Sequence, residues 1–404
     1  MAAEAPEIAG IDLFDHRQSQ NLDARTREWR AASPIVRLQP DLVYVARWQD
    51  CWEVLRDPAR FGNANGFKRV EVPEEERMLG EMDPPRHPLL RRVMRSGFTR
   101  AAVAREQPFA RARAERLLDA IAAKPGAELV GEFCDQLPND VSLHMLGVPE
   151  RDAAQIVCWA KELLHSDWPA LNRTARGAGL AGAFPEFAAY LDGLVAARRA
   201  PGAPDDLIAR LARSELGGAP LSPTVLRALA AHVILGGFST STNLLGSLLY
   251  RLLREPALHA RLRARPALVA AAVEESLRLD PPVLFVLRNA MRDCELRGVP
   301  LAAGQRVAVG IASANRDERV FDDAESYRLD RGAPRHLSFS GGAHLCIGAG
   351  VARLVAREAL RAFALRFEVG ELALAPGFEV RGVPVFLENG PERLEVRRAR
   401  GARG

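Results

Sequence analysis

Lysine is almost missing from this chain: three residues among 55 basic ones, the rest being arginine. The arginines alternate with acids, as in RLRARPALVAAAVEESLRLD, and the net charge is only +4 over 404 residues. Such interspersion suits solvated helix faces and argues against a nucleic-acid-binding stripe. Paired cysteines are missing too. Cys51, Cys134, Cys158, Cys294 and Cys346 are odd in number, scattered, and form no CxxC, which excludes a disulfide framework and a zinc-ligand pattern. A reducing, cytoplasmic compartment is the expectation. The N-terminal MAAEAPEIAGIDLFD carries acids and no basic-led apolar core, so no signal peptide is expected. The longest apolar stretch, from Ala228 to Tyr250, is broken by His232 and STSTN. It predicts a buried helix and no membrane span.

With 48% hydrophobic residues the chain can bury a large core. Apolar spacing is mainly helical from about residue 48 to 280, punctuated at AKPGAE, APGAPDD and LGGAPLSP. IVRLQPDLVYVAR alternates about a Pro-Asp turn and predicts a hairpin. Strand-like segments return at VLFVLRNA, QRVAVGIAS and FEVRGVPVFLENGPERLEVRR. The fold class is therefore mainly α with small β-sheets. No repeat, low-complexity linker or clean boundary divides the sequence, so one domain over 1–404 is expected, with β-rich segments at about 33–47, 283–312 and 366–399.

FSGGAHLC, from Phe339 to Cys346, precedes the helical pattern of IGAGVARLVAREALRAFALRF. Cys346 thus stands at a helix mouth, where free amides and the positive dipole end favour a thiolate. Glycines let backbone amides, or a flat ligand, approach the sulfur. A thiolate so held suits an axial bond to haem iron. For a lone cysteine, a buried thiol in a glycine-rich turn is the plainer alternative.

The surrounding residues resemble the cytochrome P-450 family, whose haem-binding pattern is F-G-x-G-x-H-x-C-x-G. This chain reads FSGGAHLCIG, matching at Phe339, Gly342, His344, Cys346 and Gly348, with Ser340 in place of the first glycine. Four further features match in order. EESLR resembles the family's E-x-x-R, so that Glu275 and Arg278, with Arg331 of YRLDR, imply a structural lock behind the cysteine loop. MDPPRHPLLRR resembles its D-P-P-x-H-x-x-x-R. His87 and Arg91 from that segment, with Arg288 and His344, would then hold the two haem propionates. ANRDERVFDD confirms the register. The resemblance implies the P-450 fold, with haem b buried between a long central helix and the cysteine-loop helix, and Cys346 as its proximal ligand.

The last feature is ILGGFSTSTNLLG, which resembles the family's A/G-G-x-D/E-T on the helix over the haem. Gly236 and Gly237 match, and Thr240 matches the threonine that bonds dioxygen. Ser239 occupies the position of the acid in the usual proton supply. Ser239, Ser241 and Thr242 are candidates for a hydroxyl-and-water chain, the alternative being hydroxyls bonded back to their own helix. The resemblance also places a substrate pocket at the loop from Phe61 to Met82, at Leu235 and Gly236, at Val283, Leu284, Phe285 and Val286, and at the turn of Asn389 to Glu392, which holds Pro391. Phe67 and Phe285 are candidate contacts, with core packing the alternative for each.

The implied activity is dioxygen-dependent hydroxylation or epoxidation of a hydrophobic small molecule in secondary or xenobiotic metabolism. Electrons would come from a separate ferredoxin, and the protein would act as a monomer. Two other classes stay open: a peroxide-driven or oxidative-coupling enzyme, motivated by Ser239, and a non-catalytic haem binder.

Overall fold

The structure is a computed structural model that describes residues 4–63, 72–165 and 179–399. A five-stranded sheet draws strands from both ends of the chain. It contains β1 (Ile35–Gln39), β2 (Leu42–Val45), β3 (Phe61–Gly62), β4 (Val286–Ala290) and β5 (Arg306–Val309), in the order β1-β2-β5-β4-β3. β1 and β2 form the hairpin expected from the Pro-Asp turn, with Ile35 opposite Val45. β2 and β5 run parallel, Leu42 pairing with Arg306, while the β5–β4 and β3–β4 pairings are antiparallel.

Seven helices build the site: α1 (Trp48–Arg56), α2 (Arg86–Arg95), α3 (Gln107–Ala122), α4 (Gln136–Leu146), α5 (Pro223–Arg254), α6 (Val269–Leu279) and α7 (Ala349–Arg366). α5 begins with Pro223 at its first position, and the Ser222 side chain accepts from the Val225 amide. Its 32 residues span about 48 Å at 1.5 Å per residue. By length and composition α5 could cross a membrane, but most of its apolar stretch is buried inside the protein. α7 packs against α3, α5 and α6, and the largest apolar cluster lies among these helices. Two smaller clusters flank the five-stranded sheet. α5 and α7 face each other across the cavity described below.

Two strand expectations change. QRVAVGIAS is strand only to Val309, after which Ile311–Ala314 forms a helical turn. In the tail only Glu395–Arg398 joins a ladder, pairing with Leu372–Leu374 and Gly126–Glu128. The preceding stretch is held by single bridges, Val283 to Glu388 and Gly382 to Pro391. Pro384 and Pro391 supply no ladder donor there, and Gly382 and Gly390 weaken extended pairing.

Candidate active site

The loop before α7 is shaped by what its glycines lack. A Cβ at Gly342, where φ is +62°, would lie 2.3 Å from the Leu55 carbonyl oxygen. One at Gly341 would lie 2.5 Å from a ring carbon of Trp52. Bare backbone lets the loop lie directly on α1. The Cys346 amide donates to the Phe339 carbonyl at 2.8 Å, closing the loop back on itself. Ser340, which replaces the pattern's first glycine, holds φ at +61°, a left-handed conformation that costs a residue with a Cβ about 1 kcal/mol or more.

The Cys346 sulfur opens onto a cavity of about 310 Å³ whose far wall is α5. Burial raises the thiol's pKa, while hydrogen bonds from Gly348 and Ala349 and the positive charge of Arg91 pull it down. Those amides stand at the first turn of α7, as a sulfur at a helix mouth requires.

One side of the cavity collects basic side chains. The rings of His87 and His344 stack with centroids 4.0 Å apart. Among the described residues, neither ring nitrogen of His87 and not Nε2 of His344 has a hydrogen-bond partner. Arg288 is buried alongside, its Nη2 3.5 Å from Ser340 Oγ, and Arg91 also lines the space. Burial, together with the positive charges facing each other, pushes His87 down to about 4 and His344 to about 2. Burial lowers Arg288 to about 10. Such a cluster is suited to a ligand that brings two carboxylates, which would accept from the orphaned nitrogens and neutralise the guanidinium groups. The residues fit haem: a cavity that has Cys346 in its lining and is edged by His87, Arg91, Arg288 and His344, which could serve two propionates. His232 of α5 also lines the cavity, and burial lowers it to about 4. Sequence reasoning noticed it only as a break in an apolar run.

On the α5 wall, nothing lies within 4 Å of where a Gly236 Cβ would be, so backbone there is open to the cavity. Thr240 and Ser241 line the same wall. The Thr240 hydroxyl donates to the Gly236 carbonyl at 3.0 Å. Thr242 is buried on another face, where its hydroxyl donates to the Phe238 carbonyl at 3.1 Å and meets Asp135. It therefore leaves the expected hydroxyl chain. Ser239 also lies off the cavity, and its hydroxyl donates to Glu388 Oε1 at 2.6 Å. Glu388 was not anticipated from the sequence.

The expected lock is assembled. Arg278 donates to both Glu275 oxygens at 2.7 and 2.8 Å, and Arg331 Nε donates to Oε1 at 2.7 Å. The pair is fully buried. Arg278 also donates to the carbonyls of Asn315 and Ala324, tying α6 to the segment that leads into the cysteine loop. Next to it, Glu274 accepts two bonds from Arg353 at 2.6 and 2.8 Å, and the Arg353 guanidinium lies over the Phe339 ring.

Of the expected substrate contacts, Gly236, Val283 and Val286 line the cavity. Leu235, Leu284 and Phe285 do not. Leu235 turns into the main core, and Leu284 and Phe285 pack in the cluster beside the sheet, where Phe285 meets Phe386. Helix and strand periodicity decides this, because neighbours in sequence point to different faces. Pro391 packs on Gly246 of α5 instead. Phe67 lies outside the described residues. Met145, Leu244 and Phe98 line the cavity without a sequence signal.

The sequence pattern of the Cytochrome P450 family matches residues 180–373. The chain is 32% identical over 394 residues to the mycinamicin IV hydroxylase/epoxidase of Micromonospora griseorubida, covering 95% of this chain and 97% of that protein. It is 32% identical over 344 residues to the polyketide biosynthesis cytochrome P450 PksS of Bacillus subtilis, covering 82% and 83%. The solved structure of cytochrome P450 CYP109Q5 from Chondromyces apiculatus superposes with a TM-score of 0.85 at 30% identity, covering 97% of this chain and 98% of that one. Cysteine loop, lock, glycine-opened helix and relatives converge: the chain belongs to the cytochrome P450 family and is a haem-thiolate monooxygenase.

Proposed function

We propose that this enzyme hydroxylates or epoxidises a hydrophobic small molecule of secondary metabolism in the cytoplasm, as a single domain fed by a separate ferredoxin. The observation that carries the reading is the cavity itself. Cys346 forms one wall, the glycine-opened stretch of α5 the other, and imidazole nitrogens of His87 and His344 that lack a hydrogen bond among the described residues edge it. Cys346 would hold the haem iron, and His87, Arg91, Arg288 and His344 the propionates. When bound, haem supplies the activation of dioxygen. The chain's own part is to keep the thiolate bonded by amides, exclude water with Val283, Val286 and Met145, and present Thr240 to the reacting side. Relatives named for polyketide biosynthesis and for a mycinamicin hydroxylase/epoxidase support a natural-product substrate.

Two measurements test this. The reduced protein under carbon monoxide should show the red-shifted absorption of thiolate ligation, and Cys346→Ala should lose it. NADH-dependent turnover with a surrogate ferredoxin and its reductase should exceed turnover on peroxide alone. The reverse ranking would favour the peroxide-driven reading that Ser239 motivates.

A further inference from the structure

Position 239 holds a hydroxyl where the resembled helix pattern holds an acid, yet a carboxylate is present at that point in space. Glu388, from the turn before the C-terminal strand, is 7% exposed. It accepts from Ser239 Oγ at 2.6 Å on one oxygen and from Asn243 Nδ2 at 2.7 Å on the other. Ser239 immediately precedes Thr240, so the carboxylate meets α5 on the helix face next to the one that lines the cavity, not on the cavity wall itself.

The turn is built to bring it there. Glu388 bridges to Val283, itself a cavity residue. Its carbonyl accepts from Gln20 Nε2 at 3.0 Å, and the next amide, of Asn389, donates to the Pro282 carbonyl at 3.0 Å. Close approach to α5 needs two glycines. A Cβ at Gly390 would lie 2.6 Å from Asn243 Oδ1, and one at Gly246 would lie 2.8 Å from Pro391 Cγ. Burying a carboxylate is costly unless donors meet it, and here α5 provides two.

We propose that Glu388 supplies the acid absent from position 239, acting through the Ser239 hydroxyl. The inference rests on the dioxygen-dependent reading above. Converting R–H and dioxygen to R–OH and water takes up two protons and two electrons, the electrons coming from the ferredoxin. For each proton, protonated Glu388 gives its proton to the Ser239 oxygen while the hydroxyl proton leaves toward the Thr240 side. Glu388 is left as a carboxylate and recovers a proton from solvent. A serine hydroxyl turns freely enough to donate in either direction. Glu388 touches neither substrate nor haem and is a positioning residue in this path.

The test uses the holoenzyme without substrate and four variants: Ser239→Ala, Glu388→Gln, the combination of those two, and Ser239→Asp combined with Glu388→Gln. Melting temperatures come first. Ser239→Ala and Glu388→Gln should each lower the transition, and together by less than the sum, since both remove the same charge-assisted bond between the hydroxyl and the carboxylate. Additive losses would overturn the proposal. Then NADH oxidation is driven by a surrogate ferredoxin and its reductase, and hydrogen peroxide released per NADH is measured in H₂O and D₂O. Glu388→Gln should raise peroxide per NADH at least twofold and change the solvent isotope effect. Returning the acid to the helix, in Ser239→Asp with Glu388→Gln, should restore the wild-type partition. A merely structural clamp would shift melting and leave both the partition and the isotope effect untouched, and that result would overturn the proposal. If wild type consumes no NADH with the ferredoxin system, the dioxygen-dependent reading itself fails, and this proposal with it.

Discussion

The two walls of the cavity are built on different plans. On the cysteine side, almost every feature sits within one short stretch. Phe339, Ser340, Gly342 and Cys346 are close neighbours in sequence, and the lock holding them draws on Glu275, Arg278 and Arg331 at fixed spacings. On the α5 side, groups come together from remote parts of the chain: Ser239 with Glu388, Asn243 with the same carboxylate, Gly246 with Pro391. The first wall tolerates little change because its backbone is committed. The second can trade one residue for another, provided the chemistry returns from elsewhere.

The strongest challenge to this contrast is Glu275→Ala. Arg278 and Arg331 would lose their shared counter-charge in a buried setting, at a cost of about 3–5 kcal/mol. Soluble, haem-loaded protein should nearly disappear, measured by haem absorbance per unit protein. A normal yield would remove the special status of the cysteine side.

Arg288→Ala is expected to do less. It takes one donor from the proposed propionate edge, costing on the order of 1–3 kcal/mol of cofactor binding. Haem should transfer to apomyoglobin roughly 5- to 150-fold faster than from wild type. An unchanged transfer rate would mean that the edge holds haem without it.

A smaller, pH-dependent effect is expected at Glu274. Burial raises this carboxyl, but hydrogen bonds from Arg353 and His336 outweigh it, and the net pKa falls from 4.5 to about 2. A pKa depressed on folding means stability that is present above pH 4.5 and lost as pH falls toward 2. Glu274→Gln should cost on the order of 1 kcal/mol at pH 7. Urea midpoints of variant and wild type should converge over that window. Parallel curves would show that the Arg353 contact contributes no stability.

The smallest effect should have the opposite sign. Ser340→Gly relieves a left-handed serine while adding freedom to the unfolded chain, for a net gain of about 0.5 kcal/mol. A loss of stability instead would show that Ser340 Oγ, near Arg288, matters more than the backbone.

The same contrast explains what could be read in advance. Cys346 was legible from its glycine-rich loop at a helix mouth, whereas the Glu275–Arg278–Arg331 set and the proposed propionate donors His87, Arg91, Arg288 and His344, spread over several elements, could be named only through the family resemblance. The hairpin was legible from alternation about Pro40 and Asp41. Glu388 was not, because no local pattern marks a residue whose partner is 149 positions away. Leu235 misled for a related reason, and for Phe285 packing settled on the core alternative. Register places a residue on an element, but only packing decides which face it presents. His232 was read only as an interruption in an apolar run, because nothing in the local pattern shows that this face of α5 borders a cavity.

The parallel pairing of β2 with β5 also bears on how the protein is made. Leu42 emerges from the ribosome long before Arg306, its partner. At roughly 5–20 residues per second, the N-terminal hairpin waits on the order of tens of seconds for the strand that completes it. Throughout that interval β2 presents an unpaired, apolar edge, the kind of template on which chains aggregate. Expression yield should therefore depend on translation speed and chaperone supply as much as on the stability of the finished enzyme.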